Sequence, residues 1–565
     1  MERPPSTESF YLRLILKVGG ALLLLVLISW GAFQVYYRWQ ERHLVGRAAG
    51  YLSGGDLKAA SLSARRAWQV NERSARAARV LADVAERTGD NSAISWRRKV
   101  LELEPSLDDS LALVRSAMRF NDLATAEKTL QGFDEKARGR PEFHAASGRL
   151  AEIRNDLAAA EAHWAKASEL APEDTAYQRQ LALLRLRSND PATRDAARGT
   201  LERLRADPTQ RAAATRALIA DGASRPEDPQ KVRQWASELQ AYPDALFGDR
   251  LLYLEILRQL RAPEFENYLA EVQKAAVAQP ADLGSLLSWL NTNGKAAEAI
   301  SYVKSLPAEA LKKWPVPLAH AEAYAQLKDW PGLERMAAES TWAPYDFMRR
   351  AYLARALRAQ DKRMPASEAW AAAQREASSM PQTLMMLAQT VAAWDWETEA
   401  VELLWILTRS PEARAKALET LYEHYAKAGD TPGVYRVLTR AIELEPANLT
   451  MQNNLAQIAL LLGANVEEAR RKAAELYARE PANAAFASTH AFGQFIAGDV
   501  EGALETLERL PEERRQEPSI AAYYGIILAE AGQREKAREY LARAADARLL
   551  PEEKALVAKA ESSAR

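Results

Sequence analysis

The sequence predicts an all-α fold: a right-handed superhelical solenoid of antiparallel helix pairs, preceded by one transmembrane helix. Two recurring series and one apolar run carry that reading. A turn signal of Gly or Asn, mostly followed by Asp, recurs as Gly55-Asp56, Gly89-Asp90, Asn121-Asp122, Asn155-Asp156 and Asn189-Asp190, at spacings of 34, 32, 34 and 34 residues. It returns as Gly429-Asp430, Gly463-Ala464, Gly498-Asp499 and Gly532-Gln533, at 34, 35 and 34. Periods of this size belong to stacked helical hairpins. Gly, and Asn at little cost, can enter the left-handed region that ends a helix, and the following Asp can cap the next one. A small residue stands five positions after the turn in many units: Ala60, Ala126, Ala160, Ala299, Ala503 and Ala537.

The elements follow in order. Residues 1–17 form a polar N-terminal tail containing Pro4-Pro5. The run 18–37 has only Ser29 and Gln34 as appreciably polar members, and 20 helical residues cover roughly 30 Å, the thickness of a bilayer core. Trp30, Tyr36, Tyr37 and Trp39 suit one interface, and Arg13 and Lys17 bound the other end. A cleaved signal peptide is the competing reading, but its apolar region is shorter and ends in a small-residue cleavage site. The flanking basic counts balance, Arg3, Arg13 and Lys17 against Arg38, Arg42 and Arg47. A short basic tail held in the cytoplasm would make this a single-pass inner (plasma) membrane protein with periplasmic repeats.

Residues 45–220 read as regular repeats and 221–400 as degenerate helical hairpins rich in Trp. Residues 401–550 are regular again, and 551–565 a capping helix opened by Pro551. In the middle the turns are weaker: Asp221-Gly222, Ala262-Pro263, Asn293-Gly294, Lys328-Asp329, Gln360-Asp361 and Trp394-Asp395. With these the chain holds fifteen units. A break between two lobes is expected near Pro226 to Pro229 or near Pro263.

Three units share one register. With the turn residue at position 15, Gly148, Ala160, Trp164, Ala167 and Pro172 fall at positions 8, 20, 24, 27 and 32. Leu421, Tyr425, Gly429, Leu438, Ala441 and Pro446 fall at 7, 11, 15, 24, 27 and 32, and Gly525, Ala537, Tyr540 and Ala544 at 8, 20, 24 and 27. This pattern resembles the tetratricopeptide repeat, and the plan of anchor plus repeats resembles membrane-anchored bacterial members of that family. The resemblance implies an inner groove lined by first-helix positions 2, 5, 9, 12 and 13. In the C-terminal units those positions hold Lys416, Glu419, Glu423 and Lys427, then Asn453 and Gln457, then Phe492 and Phe495. The family's carboxylate-binding set is absent, because Glu419 and Glu423 stand where Lys and Asn are expected before Asn454.

Composition narrows the chemistry. The 565 residues carry 75 basic and 76 acidic side chains, a formal net charge of -1, so bulk charge points to neither nucleic acid nor a polyacidic substrate. Zero cysteines remove disulfides, thiolate zinc sites and Cys nucleophiles. None of the six His forms a zinc-helix motif, and only His144 and His163 share a hairpin. No nucleophile elbow or phosphate-binding Gly-rich loop occurs. The chain is read as no enzyme, with no cofactor and no metal, and with no small-molecule substrate evident.

Two compositional features remain. Eight of the 14 Trp lie between 289 and 405, and of these Trp314, Trp330 and Trp342, beside Pro in connections, are the candidates for an exposed aromatic surface. Residues 58–99 hold ten Lys or Arg against four acids. This basic neck, including Arg65, Arg66, Arg73, Arg76 and Arg79, suits either anionic headgroups or ordinary solvated helix faces. The function expected is a membrane-anchored scaffold for protein partners, assembling a cell-envelope or polysaccharide-export complex. The alternative is a carbohydrate- or lipid-binding solenoid using the Trp-rich middle and the basic neck.

Overall fold

Left-handed backbone marks most of the turns, and it keeps the period where residue identity loses it. The protein is described here by a computed structural model covering residues 33, 35–224 and 228–564. Positive φ angles occur at Gly55, Gly89, Asn121 and Asn155, and again at Arg261, Gly294, Lys328, Asp361, Asp395, Gly429, Gly463, Gly498 and Gly532. From Arg261 onward these positions are 33 to 35 residues apart. Between 261 and 400 the side chains diverge from the repeat while the backbone turn persists. A left-handed residue other than Gly costs roughly 1 kcal/mol, which the packing of the flanking helices overrides at Arg261, Lys328, Asp361 and Asp395.

Many of the turn aspartates cap the following helix. Asp56, Asp122, Asp156, Asp430 and Asp499 accept from the backbone N–H three residues on, at 2.8 to 3.0 Å. Asp221-Gly222 is the exception that corrects the sequence reading. It lies inside the helix Arg211–Ser224, with Asp221 held by Arg198 at 2.7 Å, and Asp228 caps the next helix instead.

Among the described residues the helices pair into fifteen antiparallel hairpins, from 35–53 with Leu57–Val70 to Pro518–Glu530 with Arg534–Arg543. A final helix, Pro551–Ala564, follows. No strand occurs among the described residues. The small residues after the turns, Ala60, Ala126, Ala160, Ala299, Ala503 and Ala537, are all buried, which lets paired helices approach closely. At Gly433 the approach is closer still: a Cβ there would stand 2.3 Å from Tyr425 Cδ1 of the paired helix.

The chain divides into two compact units between Lys274 and Ala275, not at the boundaries of residue identity near 220 and 400. In the first unit adjacent hairpins are joined by arginine and carboxylate. Arg79 Nε and Nη2 reach both oxygens of Asp109 at 2.9 and 2.8 Å, and Arg216 grips Asp249 in the same way at 2.7 Å. Arg205 with Glu238 and Arg233 with Glu264 repeat the arrangement. In the second unit a large apolar cluster from Ala321 to Ile458 is built around Trp342, Phe347, Tyr352 and Tyr425.

The predicted span 18–37 lies, apart from positions 33 and 35–37, outside the described residues. Among the described residues no helix is long and apolar enough to cross a membrane. The helix 35–53 carries Arg38, Glu41, Arg42 and Arg47, spaced so that no apolar run survives. The expected placement as a single-pass inner-membrane protein with periplasmic repeats is corrected on this ground.

Candidate protein-binding groove

In the second unit, the first helices of four consecutive hairpins, Pro280–Thr292, Val316–Gln326, Asp346–Ala359 and Pro381–Ala392, line a cavity of about 460 Å³. Each first helix contributes through residues three or four apart, one face of a helix. Leu318, Met348, Met386 and the rings of Trp314 and Trp394 form the apolar wall. Thioethers adapt to irregular shapes, and Trp is favoured where binding energy concentrates.

The polar part of this cavity is one network. Tyr352 is fully buried and donates its hydroxyl to Glu322 Oε1. Burial, and then the Glu322 carboxylate, raise the Tyr352 phenol well above its ordinary value. The Arg355 guanidinium lies over the rings of Trp394 and Trp330, 4.5 and 5.8 Å from their centroids. Burial lowers its pKa, and Glu322 and Tyr352 oppose that shift. Two polar atoms here lack a partner: Arg355 Nη1, and Oδ1 of Asn291, a residue only 5% exposed whose Nδ2 donates to Ala319 O at 2.8 Å. A buried polar atom left unpaired costs free energy that an incoming ligand can recover.

The aromatic surface candidates separate. Trp342 is 1% exposed, packs 5.8 Å from Tyr352 and donates Nε1 to Ser340 Oγ, so its expected exposure is corrected. The connection that carries it folds inward because a large apolar ring gains more from the core than adjacent Pro costs. Trp314 and Trp330 are half-buried against the same core, and Trp314 stacks at 4.2 Å on Tyr345. Arg358 lies 4.3 Å over Trp396, as Arg355 lies over Trp394, so these faces are covered by cations. Sequence reasoning missed Glu322, Tyr352, Arg355 and Trp394 as one site. Glu322 and Trp394 stand 30 and 42 residues from Tyr352, off the 34-residue period, so no repeat register groups them.

The C-terminal inner face is partly filled. Lys416, Glu419, Glu423 and Lys427 are exposed, with Lys416 and Glu419 paired at 2.8 Å. Asn453 and Phe492 are each 1% exposed, which corrects their assignment to an open groove. Phe492 packs 4.9 Å from Tyr523, and half-buried Phe495 stacks on it at 6.2 Å. Gln457 donates to Tyr523 at 2.7 Å and to Glu553 of the last helix at 3.2 Å. That helix, expected as a cap, contacts the last hairpin and also reaches back to Thr431, whose Oγ1 lies 2.5 Å from Glu552. Its half-buried and buried residues Leu556, Val557, Ala560 and Ala564 form the apolar stripe that was the available signal in the sequence.

In the basic neck, Arg65, Arg66, Arg73 and Arg76 are exposed, and Arg73 and Arg76 share a cleft with Arg38, Arg42, Glu41 and Glu104. Arg79 is committed to Asp109 and Glu104, so its expected availability is corrected. His144 and His163 bring their Nδ1 atoms to 3.1 Å, two rings sharing one hydrogen, and burial lowers both pKa values. Among the described residues no group of three side chains could hold a metal ion.

No protein-family model and no curated protein matches the chain. A solved structure similar to it is the crystal structure of the APC/C hetero-tetramer Cut9-Hcn1, at 14% identity, over 84% of this chain and 97% of that one, with a TM-score of 0.29. At that score the likeness bears on neither partner nor arrangement. The hairpin of about 34 residues, its left-handed turn, its Asp cap and its small contact residue define the protein as an all-helical repeat of antiparallel hairpins.

Proposed function

We propose that the protein is a non-catalytic scaffold that binds protein partners, and that its second unit takes an apolar side chain of a partner segment into the cavity between Trp314 and Trp394. The observation that supports this most directly is that four consecutive first helices meet at one Met- and Trp-walled cavity. Polar groups stand beside that apolar wall, with Asn291, Glu322 and Thr390 on the same lining. Repeat hairpins suit such a role because each adds surface without needing chemistry of its own. The finer expectation, assembly of an envelope or polysaccharide-export complex, rested on the anchored arrangement and loses that support. The carbohydrate reading is not carried forward, since arginines cover Trp394 and Trp396.

Photocrosslinking tests this. A benzoylphenylalanine placed at Gln326 or Thr390 should give discrete protein adducts in cells expressing the chain. An equivalent placed at exposed Glu368 on a second helix should not. Trp394→Ala should reduce the groove adducts at least tenfold while leaving helical content unchanged. Equal adducts from both faces, or none from the groove, would sink the reading.

A further inference from the structure

The last helix, Pro551–Ala564, starts against the turn at Gly429 and packs on both helices of the final hairpin and on Leu449–Leu462. Its anchor is polar and specific. Glu553, 7% exposed, accepts from the Tyr523 hydroxyl at 2.5 Å, from Gln457 Nε2 at 3.2 Å and, through its second oxygen, from the N–H of Leu550 at 2.7 Å. Its apolar anchor is slight. Leu556 and Val557 are only half-buried, Ala560 and Ala564 bury a methyl each, and Lys554, Ala555, Ala558, Lys559, Glu561, Ser562 and Ser563 face solvent.

Those two facts together have a consequence. A helix with so little apolar area in contact is held weakly, and the face beneath it is already shaped to receive a helix. Once the helix leaves, the Tyr523 hydroxyl, on a residue only 3% exposed, loses its acceptor, and Gln457 keeps only the Tyr523 oxygen. Leaving such a donor unpaired is unfavourable, so whatever replaces the helix must itself bring a carboxylate to that point.

We propose that the face formed by helices Leu449–Leu462, Pro518–Glu530 and Arg534–Arg543 is a helix-binding site occupied by the helix Pro551–Ala564, and that its partner is an amphipathic helix with a carboxylate in its first turn and a Leu-Val pair three residues on. The partner helix takes the place of Pro551–Ala564, and its carboxylate takes the place of Glu553 between Tyr523 and Gln457. The cation of Lys554 and the amide edge of the helix remain outside the contact and set no specificity. The site is separate from the cavity at Trp394, so failure of either leaves the other standing.

The probe is a labelled peptide of residues 549–564. A tethered helix competes with a free one at an effective concentration on the order of mM, so the intact full-length chain should bind the peptide poorly. The full-length variant Glu553→Ala with Leu556→Ala should bind it at least tenfold more tightly. A peptide carrying Glu553→Gln should lose most of that binding. Equal, weak binding by the intact chain and by a variant of unchanged helical content would overturn the proposal. Hydrogen exchange on the intact chain decides independently of the variant's folding. Amides of 551–564 exchanging by a local opening, faster than those of 518–530, support an exchangeable helix; equal protection of the two overturns it.

Discussion

The two units hold neighbouring hairpins together by different physics. In the first, arginines such as Arg79 and Arg216 cross to carboxylates one repeat further on, Asp109 and Asp249, each of which also serves the start of its own helix. In the second, ion pairs such as Arg358 with Glu399 are joined by a larger share of aromatic contacts: Trp342 on Tyr352, Tyr352 on Trp394, and Phe492 on Tyr523. The difference teaches why the second unit offers a cavity walled by Trp314 and Trp394. Fork-shaped ion pairs need close, fixed geometry between adjacent helices, whereas large rings fill space and leave irregular gaps where they end.

The largest effect that would break this contrast is in the second unit. Trp342→Ala removes one of its largest fully buried side chains and should cost about 3–5 kcal/mol, read as a lowered melting transition and faster hydrogen exchange across 316–407, with the first unit unaffected. Next is the charged connection. Asp109→Asn removes the anionic partner of Arg79 and should cost about 2 kcal/mol, seen as faster exchange across 75–119. Raising salt from about 0.1 to 1 M, which shortens the screening length from about 10 to 3 Å, should weaken the exposed pairs of the first unit more than any contact around Trp342. Equal salt responses in the two units would erase the distinction.

The smallest effect is in pH. Burial pushes His320 down from 6.5 to about 4. Below pH 6.5 the unfolded chain therefore takes up a proton that the folded chain refuses until about pH 4. Its contribution to stability is complete above pH 6.5 and is lost as pH falls toward 4. His320→Gln should flatten that part of the stability profile in the second unit alone. Asp109, which Arg79 holds below the usual carboxylate range, acts differently: its contribution persists above pH 3.8 and is lost only as pH falls through its lowered value. Denaturation profiles of both variants between pH 7 and 3, followed by hydrogen exchange, check the two slopes.

Much of the hairpin array was legible because its signals are local. Gly55-Asp56 or Gly429-Asp430 encodes a turn and a cap in two residues, and Ala60 or Ala537 encodes a close approach by its size. Where Lys328, Asp361 and Asp395 adopt the same left-handed backbone, residue identity gives only a weaker signal, because neighbouring helices rather than intrinsic preference impose the conformation. The candidate site was less legible. Glu322, Tyr352 and Trp394 carry no motif in sequence and become a site only when three consecutive hairpins bring them to one cavity, with Arg355 over the Trp394 ring.

The sequence by itself determined the repeating hairpin, its period and most of its caps, since each depends on the conformational limits of a few adjacent residues. Only the tertiary structure decided which aromatic rings are core and which line a cavity, and that the last helix packs on Leu449–Leu462 and not solely against the final hairpin. Burial and occupancy are sums over contacts from distant repeats. No single residue, read in order along the chain, carries those sums.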